Sequence, residues 1–284
     1  MPQRESMTIA GDHARVNAFP VRRNAMGRRK CKSKPTSEIQ AKLNEKNKIH
    51  AITDLVNANF TPDDYFLTLT YSESEYVDDA EAAKRDIKNF FRRINALLRK
   101  RGLDSAKYIY VTERGERYGR LHHHVMISCD LTLDEIKLLW GKGTVQSEAL
   151  EFNEYGLQGL ARYVIKTSVY DPRGGKQRMS YRAWSGSKNL SKPIKKQNDY
   201  RLRAKDVAYM DKHPDDLDYA RQLYPGWIVT KIEPTAISET EPDKSPIPRA
   251  HFITLYMYRA DTELFGEGLR KKNQRKRKEL MKRQ

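Results

Sequence analysis

The sequence contains little that would direct it out of the cell or into a membrane. Its two cysteines, Cys31 and Cys129, fit no disulfide framework, zinc motif or redox pair, so we interpret both as free thiols in a reducing compartment. No apolar stretch approaches the roughly 20 residues that a membrane span needs, and the first residues lack the apolar segment of a secretory signal. We therefore predict a cytoplasmic protein with no membrane partner.

Acidic residues are scarce in three stretches of the chain. The formal net charge is +17: residues 1–50 hold 12 Lys and Arg against 4 Asp and Glu, residues 269–284 hold 9 against 1, and residues 162–203 hold 12 against 2. The last of these blocks also contains aromatic residues, namely Tyr170, Tyr181, Trp184 and Tyr200. Cations interleaved with aromatics suit phosphate binding and base stacking, so we predict a nucleic-acid partner. The run at 269–284 is equally consistent with a solvated tail.

Apolar periodicity predicts strands and helices through the middle of the chain. Helices are predicted at 37–56, 79–101, 132–140 and 156–168, and strands at 65–71, 107–113, 120–128 and 143–152. Asp78 and Glu81 have the spacing of a capping box at the start of the second helix. Hairpins combined with helices on one face indicate an α+β sandwich with an antiparallel sheet.

The remaining segments are predicted to be additions to this sandwich. Residues 1–35 have an irregular, basic pattern, whereas 226–233 and 250–258 read as a pair of strands on either side of a flexible linker. We divide the chain into a basic N-terminal extension, a main domain, a small α/β extension and a basic tail, at residues 1–50, 51–200, 201–268 and 269–284.

Three consecutive histidines lie in the predicted strand at 120–128. Successive side chains of a strand point to opposite faces, so His123 shares the core face with its apolar neighbours, and His122 and His124 share the other face. Two imidazoles at this spacing form half of a divalent-metal site. The spacing alone is a weak motif, and a tolerated surface cluster of histidines is an equally good interpretation.

The preceding strand supplies a candidate third ligand at its end, Glu113. A hairpin brings this carboxylate beside His122 and His124, and such a set with open positions suits Mg²⁺ or Mn²⁺ that must also contact a phosphate. It differs from the closed tetrahedral set of structural zinc. The alternative is that Glu113 pairs with Arg114 or Arg117 at the strand end.

A candidate nucleophile lies in the predicted helix at 156–168. Tyr163 and Lys166 are i, i+3 neighbours beside the apolar stripe. A phenol can attack phosphorus to form a phosphotyrosine, and a nearby metal ion and cation stabilise charge on the phosphate oxygens. Taken alone, the pair is more often a surface tyrosine beside a solvated lysine.

In combination these motifs resemble the HUH endonucleases, in particular the single-tyrosine initiators of rolling-circle replication of bacterial plasmids and phages. FLTLTY (66–71), GRLHHHVMI (119–127) and ARYVIK (161–166) resemble the three motifs of that family in order and spacing, and WSGSKNLSKP (184–193) resembles a segment that follows the nuclease domain. The resemblance covers roughly residues 50–195. It implies an RRM-like, ferredoxin-like nuclease palm.

The resemblance also implies roles for individual residues. His122, His124 and Glu113 would hold Mg²⁺ or Mn²⁺, Tyr163 would be the nucleophile, and Lys166 would assist it. We assign DNA contacts to residues of the basic block: Arg162, Arg178, Arg182, Trp184, Lys188 and Lys192. The middle position of the histidine signature is usually apolar in the family and is His123 here. Tyr170, two helical turns beyond the first tyrosine, is a candidate second nucleophile.

The implied function is a metal-dependent nickase that starts rolling-circle replication. It would cut a single-stranded site at an origin hairpin, keep the 5′ phosphate on tyrosine, leave a 3′-OH and later rejoin the strand. The sequence has no Walker-type phosphate loop, so host helicase and polymerase are expected as partners in the cytoplasm of a bacterial host. Two alternatives stay open: a relaxase or transposase of the same fold, and a non-catalytic RRM-like protein that binds nucleic acid with sheet aromatics, here Tyr71, Tyr108 and Tyr110.

Overall fold

The structure is a computed structural model that describes residues 2–21, 38–115, 119–167, 184–235 and 251–261. Within these ranges, the side chains of 38–43 and 164–167 are not described. Several predictions therefore lie outside the described residues: most of the linker, the basic tail at 269–284, Cys31, Tyr170 and Tyr181.

Ten strands and six helices are found among the described residues, and their order confirms the predicted α+β class. The strands are β1 (Gln3–Ala10), β2 (His13–Pro20), β3 (Tyr65–Leu69), β4 (Lys107–Arg114), β5 (Leu121–Ser128), β6 (Val145–Ala149), β7 (Ser185–Gly186), β8 (Ile194–Asn198), β9 (Trp227–Pro234) and β10 (Ile253–Arg259). The helices are α1 (Glu38–Asn57), α2 (Ala80–Lys100), α3 (Leu133–Trp140), α4 (Gln158–Thr167), α5 (Ala204–Lys212) and α6 (Leu217–Leu223).

The chain forms two compact units. Among the described residues, those between 59 and 152 and between 157 and 191 form the central unit, and the flanking unit contains those up to 58, 153–156 and those from 192 onwards. Each has its own antiparallel five-stranded sheet, in the order β6-β3-β5-β4-β7 for the central unit and β8-β1-β2-β10-β9 for the flanking unit. The predicted division at residues 50, 200 and 268 stays a prediction.

The central unit is built around the amphipathic helix α2, which spans nearly the predicted range. Its apolar stripe packs on one face of the sheet, and the core it forms includes Ile87, Phe90, Phe91, Ile94, Leu98, Leu67, Leu69, Val125 and Ile127. The predicted cap is wrong by one residue, because the Asp79 side chain accepts from the backbone N–H groups of Glu81 and Ala82. Asp78 instead pairs with Arg114 at the end of β4.

The prediction of irregular structure for residues 1–35 is wrong for 3–20, which form the hairpin β1–β2. Gly11, with φ of 59°, and Asp12 form its two-residue turn, because glycine accepts this left-handed backbone without strain. The hairpin pattern is obscured because polar residues, among them Gln3, Glu5 and Thr8, are buried in β1. The predicted pairing of 226–233 with 250–258 is confirmed by β9 and β10, which are antiparallel neighbours.

Candidate active site

The candidate metal ligands meet on neighbouring strands of the central sheet. Glu113 on β4 lies directly opposite His122 on β5, and His124 is opposite Val111. Opposite residues of an antiparallel pair share a face, so the carboxylate and both imidazoles lie on the sheet face that α2 does not cover. His122 and His124 thus share the face that the alternation of β5 predicted for them.

Three ligand atoms converge closely at this point. His122 Nε2 and His124 Nε2 lie 2.8 and 2.7 Å from Glu113 Oε1, and 3.1 Å from each other. Among the described residues, these three form the group able to offer three ligand atoms to one metal ion. Arg114 pairs with Asp78, which removes one alternative partner for Glu113, and Arg117 lies outside the described residues.

The three ligand atoms lie 2.7 to 3.1 Å apart, close enough for one divalent ion to contact all of them. A carboxylate and two imidazoles would leave the remaining positions of such an ion for water and substrate oxygens.

Local electrostatics keep the carboxylate ionised. Burial by itself would raise the pKa of Glu113, but hydrogen bonds from His122 and His124, together with their charge, lower it to about 2. An ionised carboxylate is the form that binds metal ions, so Glu113 is ready to act as a ligand across the whole physiological pH range.

Strand β3 supports His124 from the other side. Thr68 is opposite His124 in the β3–β5 pair, and its Oγ1 lies 3.1 Å from the Nδ1 atom of that imidazole. The Phe66 ring stacks on the His124 ring with an interplanar angle of 8°. These contacts fix the ring orientation so that Nε2 points at Glu113. Sequence reasoning did not assign Phe66 or Thr68, although alternation in FLTLTY places both on the site face.

His123 belongs to the core on the opposite face, as the alternation predicts. It has no exposed surface, and both ring nitrogens have partners: Tyr71 Oη lies 2.9 Å from Nε2, and Thr112 Oγ1 lies 2.8 Å from Nδ1. Burial, reinforced by the neighbouring imidazoles His122 and His124, lowers the pKa of His123 to about 3. The ring is therefore neutral, and it faces away from the candidate metal ligands.

Helix α4 brings Tyr163 to the ligands. Its Oη lies 3.1 Å from His124 Nε2 and donates a 3.4 Å hydrogen bond to Glu113 Oε1. The side chain is 42% exposed, so a substrate can reach the phenol from solvent. The structure thus brings together four residues from three separate elements, β4, β5 and α4.

The other predicted site residues are placed only in part. Arg162, Lys188 and Lys192 are exposed, and Trp184 is half-buried at the start of the segment that adds β7 to the edge of β4. The backbone of Lys166 belongs to α4, but its side chain is not among those described. Arg178 and Arg182 lie outside the described residues.

The sheet aromatics expected of an RRM-like binding module lie on the wrong face for that role. Tyr71 and Tyr110 are buried beneath α2, and Tyr108 stacks on Phe91 of that helix with ring centroids 3.5 Å apart. Aromatics covered by a helix cannot stack on bases, so this observation argues against sheet-based RNA recognition.

The fold and the site together define an α+β unit whose antiparallel sheet presents a His-Glu-His cluster beside a tyrosine. Residues 64–168 match the family model described as replication-associated protein ORF2/G2P. This matched stretch is a little over a third of the chain, and it contains the cluster and Tyr163. The match supports a role in replication and, with it, DNA binding.

Neither the curated proteins nor the solved structures include a significant match to this chain. Within the part of the chain that the structure describes, no helix is both long and apolar enough to cross a membrane.

Proposed function

We propose that this chain is a metal-dependent nickase that initiates rolling-circle replication of a plasmid or phage. The observation that carries the proposal is the Oη atom of Tyr163, 3.1 Å from an imidazole of a cluster able to hold a divalent cation. The similarity of residues 64–168 to replication-associated proteins supports DNA as the substrate.

In this proposal Glu113, His122 and His124 hold Mg²⁺ or Mn²⁺. The bound ion supplies positive charge to the oxygens of the scissile phosphate. A carboxylate and two imidazoles that leave further positions for other ligands suit either of these ions. Thr68 and Phe66 orient the His124 ring.

Tyr163 is the proposed nucleophile. Its phenolic oxygen forms a bond to phosphorus while the bond from phosphorus to the 3′ oxygen breaks, so the phenol loses a proton and the leaving oxygen gains one. The 5′ phosphate stays on the enzyme, and attack by a 3′-OH on the phosphotyrosine rejoins the strand. Lys166, three residues further along α4, would stabilise the phosphate or the phenolate.

The exposed cations Arg162, Lys188 and Lys192, with the half-buried Trp184, are proposed to contact the phosphates and bases of the origin hairpin. Arg178 and Arg182 belong to the same proposal, although they lie outside the described residues. Host helicase and polymerase would open the duplex and extend the free 3′-OH. A relaxase or transposase with the same chemistry is the second candidate, and it would differ in the DNA that it cuts.

A single experiment tests the chemistry. The protein is incubated with a library of single-stranded DNA and Mn²⁺, and covalent adducts are detected by denaturing gel and located by mass spectrometry. Tyr163→Phe should abolish the adduct, and so should excess chelator. Tyr200→Phe is the matched control, because Tyr200 is 84% exposed within the basic block but is distant in sequence from the candidate motifs.

Two results would contradict the assignment in different ways. An adduct that persists in Tyr163→Phe and maps to Tyr170 would keep the reaction and move the nucleophile. Binding of many sequences without any adduct would favour a non-catalytic DNA-binding protein.

A further inference from the structure

Helix α2 presents a row of cations on the side that faces away from the sheet. Arg85, Lys88, Arg92 and Arg99 are exposed and recur at intervals of three, four and seven residues, which places them on one side of a helix. The buried residues of α2 occupy the opposite side and form the core of the central unit. We call these four cations the α2 row.

Most of the charge in the α2 row is not neutralised by neighbouring acids. Arg85 lies 3.8 Å from the Asp79 carboxylate, and Arg92 contacts an amide, that of Asn89. No ion pair involves Lys88 or Arg99 within the described part of the chain. Other arginines of this region have structural partners: Arg93 donates to the last carbonyls of α3, and Arg101 pairs with Glu135.

The α2 row lies on the other side of the sheet from the candidate active site. Helix α2 covers the face that carries Val125 and Ile127, whereas His122 and His124 lie on the uncovered face. The nucleotides of a DNA strand that are bound at Tyr163 therefore cannot also contact α2. A polyanion bound along the α2 row would therefore be a different stretch from the one bound at Tyr163.

The composition of the α2 row favours duplex over single-stranded DNA. Single strands are held by aromatic side chains that stack on their bases, but no aromatic residue is exposed on α2, and Ala96 fills the gap between Arg92 and Arg99. Duplexes are held through their phosphates, which cations alone can contact. The row runs about 21 Å from Arg85 to Arg99, a length over which a duplex presents about 12 phosphates.

We propose that the α2 row binds the phosphate backbone of double-stranded DNA, which holds the duplex part of a substrate while its single-stranded part occupies the candidate active site. The proposal rests on the proposed function for the identity of the polyanion. Phosphate contacts carry no sequence information, so the row contributes affinity and orientation but not choice of origin.

The test compares salt dependence among three variants with the wild type. The row variant is Arg85→Gln/Lys88→Gln/Arg92→Gln. The control is Lys48→Gln/Lys137→Gln/Lys212→Gln, which removes the same charge from exposed positions on α1, α3 and α5. A third variant, Arg85→Lys/Arg92→Lys, keeps the charge. Glutamine is a good helix former, so α2 should stay folded, and circular dichroism checks that it does.

Binding to a labelled duplex of random sequence is measured at several KCl concentrations. Each lost phosphate contact lowers the slope of log K against log[KCl] by about 0.9, so the row variant should lose about 2.7 from the slope. The control and the charge-preserving variant should lose less than about 1. Binding of single-stranded DNA should change little in the row variant.

Equal losses in the row and control variants would overturn the proposal, because net charge alone would then explain binding. An unchanged slope in the row variant, or an equal loss for single-stranded DNA, would overturn it as well. Failure of the proposed function has a different signature, namely the absence of a Tyr163 adduct on single-stranded DNA in the wild type. That result would leave the duplex measurement unaffected.

Discussion

The buried imidazole of His123 should make the central unit sensitive to mild acid. His123 has no exposed surface, and burial lowers its pKa from 6.5 to about 3. In the unfolded chain this imidazole titrates near 6.5. Below that pH the unfolded chain binds a proton that the folded chain excludes, so the free energy of unfolding falls as the pH falls. Above pH 6.5 the effect disappears.

The size of the effect follows from the same shift. One pKa unit corresponds to about 1.4 kcal/mol, so lowering the pH from 6.5 to 4.5 should cost the folded state roughly 2 to 3 kcal/mol through this one residue. Replacing the imidazole with a group that does not titrate removes this cost. His123→Leu leaves the hydroxyls of Thr112 and Tyr71 without their ring partner, which destabilises by about 1 to 3 kcal/mol at every pH. His123→Gln keeps a polar partner for them.

The assay is urea unfolding of the wild type and both variants at pH 4.5 to 7.5, with chelator present so that metal binding does not contribute. Tryptophan fluorescence of variants that carry Trp184→Phe and Trp227→Phe reports on this core, because the ring centroid of the remaining Trp140 lies 5.7 Å from that of His123. As the pH falls, the free energy of unfolding of the wild type should decrease more than that of either variant. This holds whatever the difference in free energy among the three proteins at pH 7.5. Parallel curves for all three proteins would refute the reasoning.

Two further predictions concern the site and the fold. Thr68→Val removes the hydroxyl beside His124 Nδ1 but keeps the side-chain shape, so it should weaken Mn²⁺ binding about 10- to 100-fold without loss of stability. Calorimetry measures this affinity, and an unchanged value would show that strand β5 alone orients the imidazole ring. Gly143→Ala should lower the free energy of unfolding by more than about 2 kcal/mol, since the new Cβ would lie 2.4 Å from the Thr70 carbonyl oxygen. Thermal melts measure the change, and equal stability of variant and wild type would contradict it.

Much of the central unit was predictable because its patterns are strongly periodic. The helix at 79–101 and the strand at 120–128 agree with α2 and β5 to within one residue at each end. Alternation alone separated His122 and His124 from His123. The predicted hairpin likewise placed Glu113 beside the two imidazoles. What the sequence pattern could not supply is the approach of Tyr163 to them, since that depends on the path of the chain from β6 to α4.

The flanking sheet was largely missed for a physical reason. Buried positions of β1 include Gln3 and Glu5, and Glu5 pairs with Arg201, nearly two hundred residues away. A polar residue whose partner is so distant looks like a surface residue in the sequence. Strand β8 has the opposite difficulty, because all five of its residues are exposed and none of them marks a buried face.

The strand order of the flanking sheet has a consequence for biosynthesis. Strand β10 lies between β2 and β9, and Asn17 of β2 accepts a hydrogen bond from Thr254 of β10, 237 residues later. During synthesis on the ribosome, β2 therefore lacks its partner β10 until residues 253–259 have been made. The described residues of the central unit all lie between 59 and 191, so this unit can fold before β10 has been made. We therefore expect the flanking sheet to be completed after the central unit has formed, and a chain that stops before residue 253 cannot complete it.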